Sequence, residues 1–103
     1  MRDVYSAVAD PTRREMIHIL SGVDELPLHE IVSQFPMGRT AVSKHLRVLK
    51  DADIVRERKV GRETRFRFNP EPLREIQEWV SFYERFWMAQ LDQLKHMLEN
   101  DDE

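Results

Sequence analysis

Apolar residues recur every three or four positions in five stretches of the chain, which is the spacing of helices that bury one face. Two further stretches have strand character, and the second of them alternates between apolar and charged residues. The pattern predicts helices over 3–9, 11–21, 27–34, 38–52 and 70–98, and strands over 54–59 and 63–69. Prolines or glycines lie at most of the junctions, where turns are expected.

The third and fourth predicted helices are joined by a short turn, Phe35-Pro36-Met37-Gly38. Pro36 disfavours a helical conformation at Phe35 and so ends the third helix. Two short helices joined in this way, the second of them basic on its outer face, form the helix-turn-helix pattern, and a basic hairpin after it is typical of a wing. The sequence therefore predicts a mainly α fold with a β-hairpin wing, a winged helix-turn-helix, in one domain over residues 1–103.

The fourth predicted helix carries Val42, Leu46 and Leu49 on one face and hydrogen-bonding side chains on the others. A helix of this width fits the major groove of B-DNA, where Arg, Lys, Ser and Thr reach base edges and phosphates. The alternatives are an ordinary solvated helix face and a charged, soluble hairpin edge. The candidate DNA-binding residues are Arg39, Thr40, Ser43, Lys44 and Arg47 on the helix, and Arg58, Lys59, Arg62 and Arg65 on the wing.

Cations are concentrated in the middle third of the chain, although the whole chain has a net charge of −3 at pH 7. Residues 38–69 contain ten cations and four anions, whereas residues 1–37 contain three and six, and residues 70–103 three and nine. A local basic footprint matters more to a polyanion than the total, because salt screens fields beyond about 8–10 Å. We therefore expect the middle third to face DNA and the acidic ends to point away from it.

The last predicted helix, 70–98, has an apolar stripe that is too wide for one small domain to cover. Five of the nine aromatic residues of the chain fall between Trp79 and Trp87. A large apolar patch left in water usually marks an interface. We interpret this helix as a dimerisation helix, and a ligand pocket between helices is the alternative. The residues assigned to the interface are Ile76, Trp79, Val80, Tyr83, Phe86, Trp87, Leu91 and Leu94.

Several classes of protein are excluded by what the sequence lacks. The chain contains no cysteine, which rules out a disulfide framework and a thiol nucleophile and is compatible with the cytoplasm, where we expect the protein. Its first ten residues lack the apolar core of a signal peptide, and no run approaches the roughly 20 apolar residues of a membrane span. No catalytic motif is recognisable. We expect neither an enzyme nor a membrane protein, and no cofactor.

Two runs, DPTRREMIHIL and TAVSKHLRVLKDADIVRERKVGRETRFRF, resemble the ArsR/SmtB family of bacterial winged-helix repressors. The resemblance covers about residues 3–98 in the right order. It implies a homodimer through the first and last helices, which adds Val4 and Val8 to the interface. It also implies recognition helices in successive major grooves of an inverted repeat. By position, the resemblance places the DNA-facing start of the recognition helix at Gly38, Arg39, Thr40, Ser43 and Lys44.

The family is known for metal sensing, and both of its metal-site motifs are altered in this chain. Pro27 and His29 stand where some members have the cysteines of a thiolate motif. On the last helix, His96 matches half of a second motif, but Tyr83 and Arg85 stand where aspartate and histidine are required. Half a motif falls short of the four ligands that zinc needs. The chain resembles a branch of the family without metal sites, so we expect no bound metal.

Two other functions remain open from the sequence. One is a metal- or ligand-responsive sensor repressor that uses the last helix, and the other is a protein-interaction adaptor built on the winged helix. The roles of Arg13 and Arg14 are also open, because cations are disfavoured in the first turn of a helix. They are either solvated or paired with Asp10, or they contact a phosphate or the acidic last segment.

Overall fold

The computed structural model describes residues 3–100 and confirms the winged helix-turn-helix architecture. The helices are α1 (Val4–Val8), α2 (Pro11–Ser21), α3 (Leu28–Val32), α4 (Arg39–Asp51) and α5 (Arg74–Asn100), and the strands are β1 (Leu26–Pro27), β2 (Val55–Val60) and β3 (Glu63–Phe68). A 3₁₀ turn, Glu71–Leu73, precedes α5. Residues 1–2 and 101–103 of the predicted domain lie outside the described range.

The wing is a three-stranded antiparallel sheet in the order β1-β3-β2, whereas the sequence predicts a two-stranded hairpin. Leu26 pairs with Phe66, and Pro27 pairs with Arg65. Pro27 therefore belongs to β1 and is the N-cap of α3, which begins one residue later than predicted and is also shorter than predicted. Proline is tolerated here because β1 is an edge strand that leaves one side unpaired. The third strand anchors the hairpin, which would be only marginally stable alone.

The chain leaves α4 in a direction fixed by a left-handed residue, Asp53, whose φ is 61°. The amide of Ile54 donates to the carbonyl of Leu49 at 2.9 Å, and the amide of Asp53 donates to the carbonyl of Lys50 at 2.9 Å. These two bonds are a Schellman motif, which usually has glycine at the left-handed position. Asn69 holds the bend from the other side, since its Nδ2 donates to the Asp53 carbonyl at 2.9 Å. Strand β2 begins directly after this bend.

The core lies between the helices and one face of the wing. The predicted apolar face of α4 is buried, since Val42, Leu46 and Leu49 are each at most 1 % exposed. The rest of the buried hydrophobic core consists of Val4, Ala7, Met16, Leu20, Ile31, Ala52, Ile54, Val55 and Phe66. Every element from α1 to β3 contributes a buried side chain to this core or, as Leu26 of β1 does, packs against it. Helix α4 is thus part of the core and not an appendage to it.

Helix α5 extends well beyond the body, and the described chain measures 70 × 28 × 22 Å. Near its start, α5 packs on α1: the rings of Tyr5 and Trp79 meet edge to face at 5.9 Å, and the Tyr5 hydroxyl donates to the Glu75 carbonyl at 3.3 Å. From Ser81 to Asn100 every side chain is exposed. Between residues 3 and 100, no helix has the length and apolarity needed to cross a membrane.

Truncation of Leu49 tests whether α4 is anchored by its buried face. Leu49→Ala is expected to lower the free energy of unfolding by about 2–5 kcal/mol, because it removes a fully buried side chain and leaves a cavity. Urea unfolding at a fixed protein concentration measures the change. Val48→Ala is the matched control, since Val48 is the preceding residue and is 38 % exposed. Equal losses in the two variants would contradict this account of the core.

Candidate DNA-binding surface

Helix α4 exposes the polar face that the sequence predicts for DNA. The exposed candidates are Arg39, Thr40, Ser43, Lys44 and Arg47. Within residues 3–100, none of the three cations in this set forms an ion pair. Gly38 is the N-cap and offers no side chain to the amides of the first turn, so these donors also lack a side-chain acceptor. The start of α4 therefore presents hydrogen-bond donors with no partner in the fold.

The inner face of the wing lies beside α4. Lys59 is paired with Thr64 on this face, and Glu57, two residues earlier, forms an ion pair with Lys50 of α4. The ion pair fixes one flank of the helix to the sheet. A cleft of about 370 Å³ separates the two elements and is lined by Leu28, Ser43, Leu46, Arg47, Lys50, Glu57, Lys59, Thr64 and Phe66. The structure thus brings predicted residues of the helix and the wing together along one groove.

Arg58 and Arg65 occupy the opposite face of the wing, because successive residues of a strand point to opposite sides. The register sets Arg58 opposite Arg65 and Arg56 opposite Arg67. Like charges directly opposite each other are destabilising unless a counter-ion is present. Glu25 supplies one: it accepts from Arg58 Nε and Nη2 at 2.8 and 2.6 Å, and from Arg65 Nη1 at 3.2 Å. Two predicted DNA-binding residues are therefore committed to an internal ion pair.

The electrostatics of Glu25 reflect this double pairing. Its side chain is only 17 % exposed. The hydrogen bonds from Arg58 lower the pKa of Glu25 from 4.5 to about 2, and the bond from Arg65 acts in the same direction, against the opposing effect of burial. The fork of a guanidinium matches a carboxylate in two parallel bonds, which makes such pairs geometrically specific. Glu25 therefore joins the middle of the hairpin to the loop before β1.

The tip of the wing carries two candidate cations that form no ion pair. Gly61 has a φ of 62° and makes the tight turn between β2 and β3 possible. Lys59 and Arg62 flank this turn and are exposed. Neither forms an ion pair within the described part of the chain. Of the four wing candidates, Lys59 and Arg62 are thus unpaired, and Arg58 and Arg65 are paired.

The structure resolves the open roles of Arg13 and Arg14. Both guanidinium groups fold back and bind the carbonyl oxygens at the end of α1, where a cation is favourable. The acceptors are Ser6 and Ala7 for Arg13, at 3.1 and 2.7 Å, and Val8 and Ala9 for Arg14, at 2.8 and 3.0 Å. Asp10 receives the backbone amide of Arg13 at 3.0 Å as the N-cap of α2, a bond that lowers the pKa of Asp10.

The residues assigned to the dimer interface fall into two groups. Val4 is 7 % exposed and belongs to the core of its own chain, and Val8, Ile76 and Val80 are half-buried. The remaining six are between 40 % and 58 % exposed: Trp79, Tyr83, Phe86, Trp87, Leu91 and Leu94. Phe82, Met88, Met97 and Leu98 are also exposed apolar residues of α5 that were not assigned to the interface. The exposed patch is therefore larger than the assigned set.

His96 and Glu99, which match half of a metal motif, are exposed on the last turns of α5. Tyr83 lies in a cluster of aromatic rings, 5.4 Å from Trp79 and 5.0 Å from Phe82. Over residues 3–100, no three histidine, aspartate or glutamate side chains are close enough together to hold a metal ion.

The chain resembles a family of known proteins. The model of the bacterial regulatory proteins of the arsR family matches residues 10–57, which run from the N-cap of α2 through α4 into β2. The HTH-type transcriptional regulator Rv2034 of Mycobacterium tuberculosis is 30 % identical over 97 residues, which span 94 % of this chain and 87 % of that protein. The chain belongs to the arsR family.

Other transcriptional regulators are similar to this chain in sequence or in structure. The transcriptional repressor SdpR of Bacillus subtilis is 29 % identical over 80 residues, which span 78 % of this chain and 88 % of SdpR. Among solved structures, an ArsR-like transcriptional regulator from Rhodococcus sp. RHA1 has a TM-score of 0.73 and 28 % identity, over 94 % of this chain and 88 % of that one. This ArsR-family chain is therefore a DNA-binding transcriptional regulator and not an enzyme, as the sequence predicts.

Sequence reasoning missed the carboxylates that organise this surface. Glu25 forms ion pairs with Arg58 and Arg65, and Glu57 forms one with Lys50, so these three cations already have a counter-ion within the fold. One signal could have found Glu25: two like charges opposite each other in a hairpin require a nearby counter-ion. No local pattern points to Glu57, because its partner Lys50 lies on a helix seven residues earlier.

The ion pair of Glu25 predicts how the stability of the fold depends on pH. Because the pKa of Glu25 is about 2 in the fold against 4.5 normally, its stabilising effect is present above pH 4.5 and is lost as the pH falls towards 2. We expect Glu25→Gln to lower the thermal midpoint at neutral pH and to reduce its fall between these pH values. Thermal melts across this range measure both effects. Glu30→Gln, at an exposed position on α3, is the control; an identical pH profile in the two variants would disprove the assignment.

Proposed function

We propose that this ArsR-family chain is a homodimeric repressor that binds an inverted-repeat operator through α4 and the wing tip. The observation that carries the proposal is the distribution of unpaired cations. Arg39, Lys44 and Arg47 on α4, and Lys59 and Arg62 on the wing, are exposed and form no ion pair within residues 3–100. Arg47 and Lys59 border one cleft, so a single duplex can meet both elements.

The proposed division of roles follows the position of each residue. At the start of α4, Arg39, Thr40, Ser43 and Lys44 read base edges in the major groove, since their side chains match the donors and acceptors that bases present there. Arg47, Lys59 and Arg62 neutralise phosphates along the groove and at its flank. Arg58 and Arg65 support the wing through Glu25 and contribute to DNA binding by holding the tip in place.

The proposed dimer rests on the exposed stripe of α5. A contiguous apolar patch of this size on a protein in water usually marks an interface, and a two-fold dimer uses the same patch on both copies. Three pairs of assigned apolar positions are symmetric about Arg85. Ile76, Trp79 and Tyr83 precede it by nine, six and two residues, and Trp87, Leu91 and Leu94 follow it by two, six and nine. Two antiparallel α5 helices centred on Arg85 would therefore set these three pairs opposite each other.

Selection of bound duplexes from a random library tests the function directly. The expected product is an inverted repeat whose half-site centres lie about one helical turn, roughly 10 base pairs, apart. The selected duplex then serves as the operator for every binding measurement that follows. If the protein enriches no duplex even at low salt, the proposed function is wrong.

Substitution of Lys44 tests the DNA-facing role of α4. Lys44→Ala is expected to weaken operator binding, because it removes a cation that has no partner in the fold. Because Lys44 is assigned to a base edge, affinity should fall with little change in the slope of log affinity against log salt. Loss of a phosphate contact would instead make this slope shallower by about 0.9. Titrations at several salt concentrations measure both quantities. Lys95→Ala, an exposed cation on α5, should change neither, and an unchanged affinity in Lys44→Ala would remove Lys44 from the site.

A charge placed in the stripe of α5 tests the dimer. Trp87 is 52 % exposed in the single chain, so Trp87→Glu should leave the protomer folded while burying a carboxylate if the proposed interface forms. Sedimentation at micromolar concentration should show monomers, and operator affinity should fall because two half-sites are no longer bound together. Ser81→Glu places the same charge on the polar side of the helix and should stay dimeric. A Trp87→Glu variant that remains a dimer would contradict the proposed interface.

A further inference from the structure

One side chain connects α1, α2 and the recognition helix. Arg13 lies in the first turn of α2, and two of its nitrogens donate to the carbonyls of Ser6 and Ala7 on α1, as described above. Its third nitrogen, Nη1, lies 3.3 Å from Nδ1 of His45 on α4. Since a guanidinium only donates, Nδ1 of His45 is the acceptor in this contact. The guanidinium therefore satisfies three acceptors on two other helices at once.

His45 lies on the flank of α4 that faces α1 and α2. Its side chain is 24 % exposed, and its Nδ1 is also 3.8 Å from the carboxylate of Asp10. The opposite flank of the helix is held by the ion pair between Lys50 and Glu57 of the wing. Directional polar contacts therefore hold the recognition helix on both sides. His45 contacts the start of α2, and Lys50 contacts the sheet.

We propose that Arg13 and His45 are positioning residues for DNA recognition: their contact sets the rotation of α4 about its own axis, without either side chain touching DNA. The proposal rests on the DNA-binding function proposed above. It follows from the kinds of force that hold α4. The apolar contacts of Val42, Leu46 and Leu49 bury the helix but are not directional, whereas hydrogen bonds depend steeply on angle and distance.

A small rotation of α4 would matter because base reading is geometrically strict. A bidentate contact to a base edge requires donors placed to within a fraction of an ångström. Arg39, Thr40 and Lys44 extend outward from the helix surface. A rotation of α4 about its axis therefore moves the ends of these side chains further than it moves the helix axis. Loss of the contact between Arg13 and His45 should therefore weaken binding to the operator more than binding to unrelated DNA, which depends on phosphates alone.

The chain supplies a matched control for Arg13 in the next residue. Arg14 also binds two carbonyls at the end of α1, those of Val8 and Ala9, through its Nη1 at 2.8 and 3.0 Å. Among the described residues, Arg14 forms no hydrogen bond or ion pair with α4. Arg13→Gln and Arg14→Gln therefore both remove a guanidinium from the end of α1, and only the former also releases His45. Any difference between them in DNA binding reports on the link to the recognition helix.

His45 offers a second pair of variants that leaves α1 untouched. His45→Leu has a similar volume and no acceptor, so it breaks the contact with Arg13. His45→Asn keeps an acceptor at about the position of Nδ1 and should restore it. Sedimentation and thermal melts on each variant establish that the oligomeric state and the fold are those of the unmodified protein.

The test measures affinity for the duplex selected from the random library, and for an unrelated duplex, across salt concentrations. We expect Arg13→Gln and His45→Leu each to bind the selected duplex about tenfold more weakly, the size of one charge-assisted hydrogen bond. The salt slope and the affinity for unrelated DNA should be unchanged. Arg14→Gln and His45→Asn should bind within about twofold of the unmodified protein. The double variant should be no weaker than either single one, because both remove the same contact.

Three results would overturn the proposal. Unchanged operator affinity in Arg13→Gln or His45→Leu would show that the contact does not position α4. A salt slope shallower by about one unit would show direct phosphate contact instead. Equal losses in Arg13→Gln and Arg14→Gln would assign the effect to the end of α1 alone. If the unmodified protein selects no duplex at all, it is the proposed DNA-binding function that fails, which separates the two outcomes.

Discussion

The burial of one face of α4 is the constraint on which the rest of the structure depends. Val42, Leu46 and Leu49 point into the core and are at most 1 % exposed. With a helical period of 3.6 residues, this choice determines which side chains face outward. The same residues that stabilise the fold therefore also decide which donors reach a duplex. Loss of the buried face would disorder the binding surface and the core together.

The cations of the wing differ in whether the fold gives them a partner. On the outer face, Arg58 and Arg65 are neutralised by Glu25, and Asp53 and Glu63 accept from Arg56 and Arg65, whereas Arg67 forms no ion pair within residues 3–100. On the inner face and at the tip, Lys59 and Arg62 have no such partner within residues 3–100. A count of cations along the hairpin cannot distinguish these groups. The ion pairs on the outer face stiffen the wing and so hold its tip in place.

Features that depend on local spacing could be predicted from the sequence, and features that depend on distant partners could not. Helix α2 begins and ends at the predicted residues, and α4 differs from its predicted range by one residue at each end, because apolar spacing and turn residues act locally. Strand β1 has two residues and no period, and it forms only because Phe66 and Arg65 lie beside it. The pairing of Glu25 with Arg58 and Arg65 joins residues 33 and 40 positions apart. For Arg13 the sequence leaves several partners open. Its acceptors are two backbone carbonyls, which carry no sequence signal, and Nδ1 of His45, which is 32 positions away.

The length of α5 links folding to the amount of protein present. From Ser81 onward every side chain of the helix is exposed in the single chain, and most of the stability of a helix in a protein comes from packing of its apolar face. In the proposed dimer, association supplies the missing support, so the melting temperature rises with protein concentration. Dilute protomers would spend more time with a frayed end and an uncovered aromatic patch, which proteases and chaperones recognise. The cellular level of such a regulator would then be set partly by how readily each chain finds another.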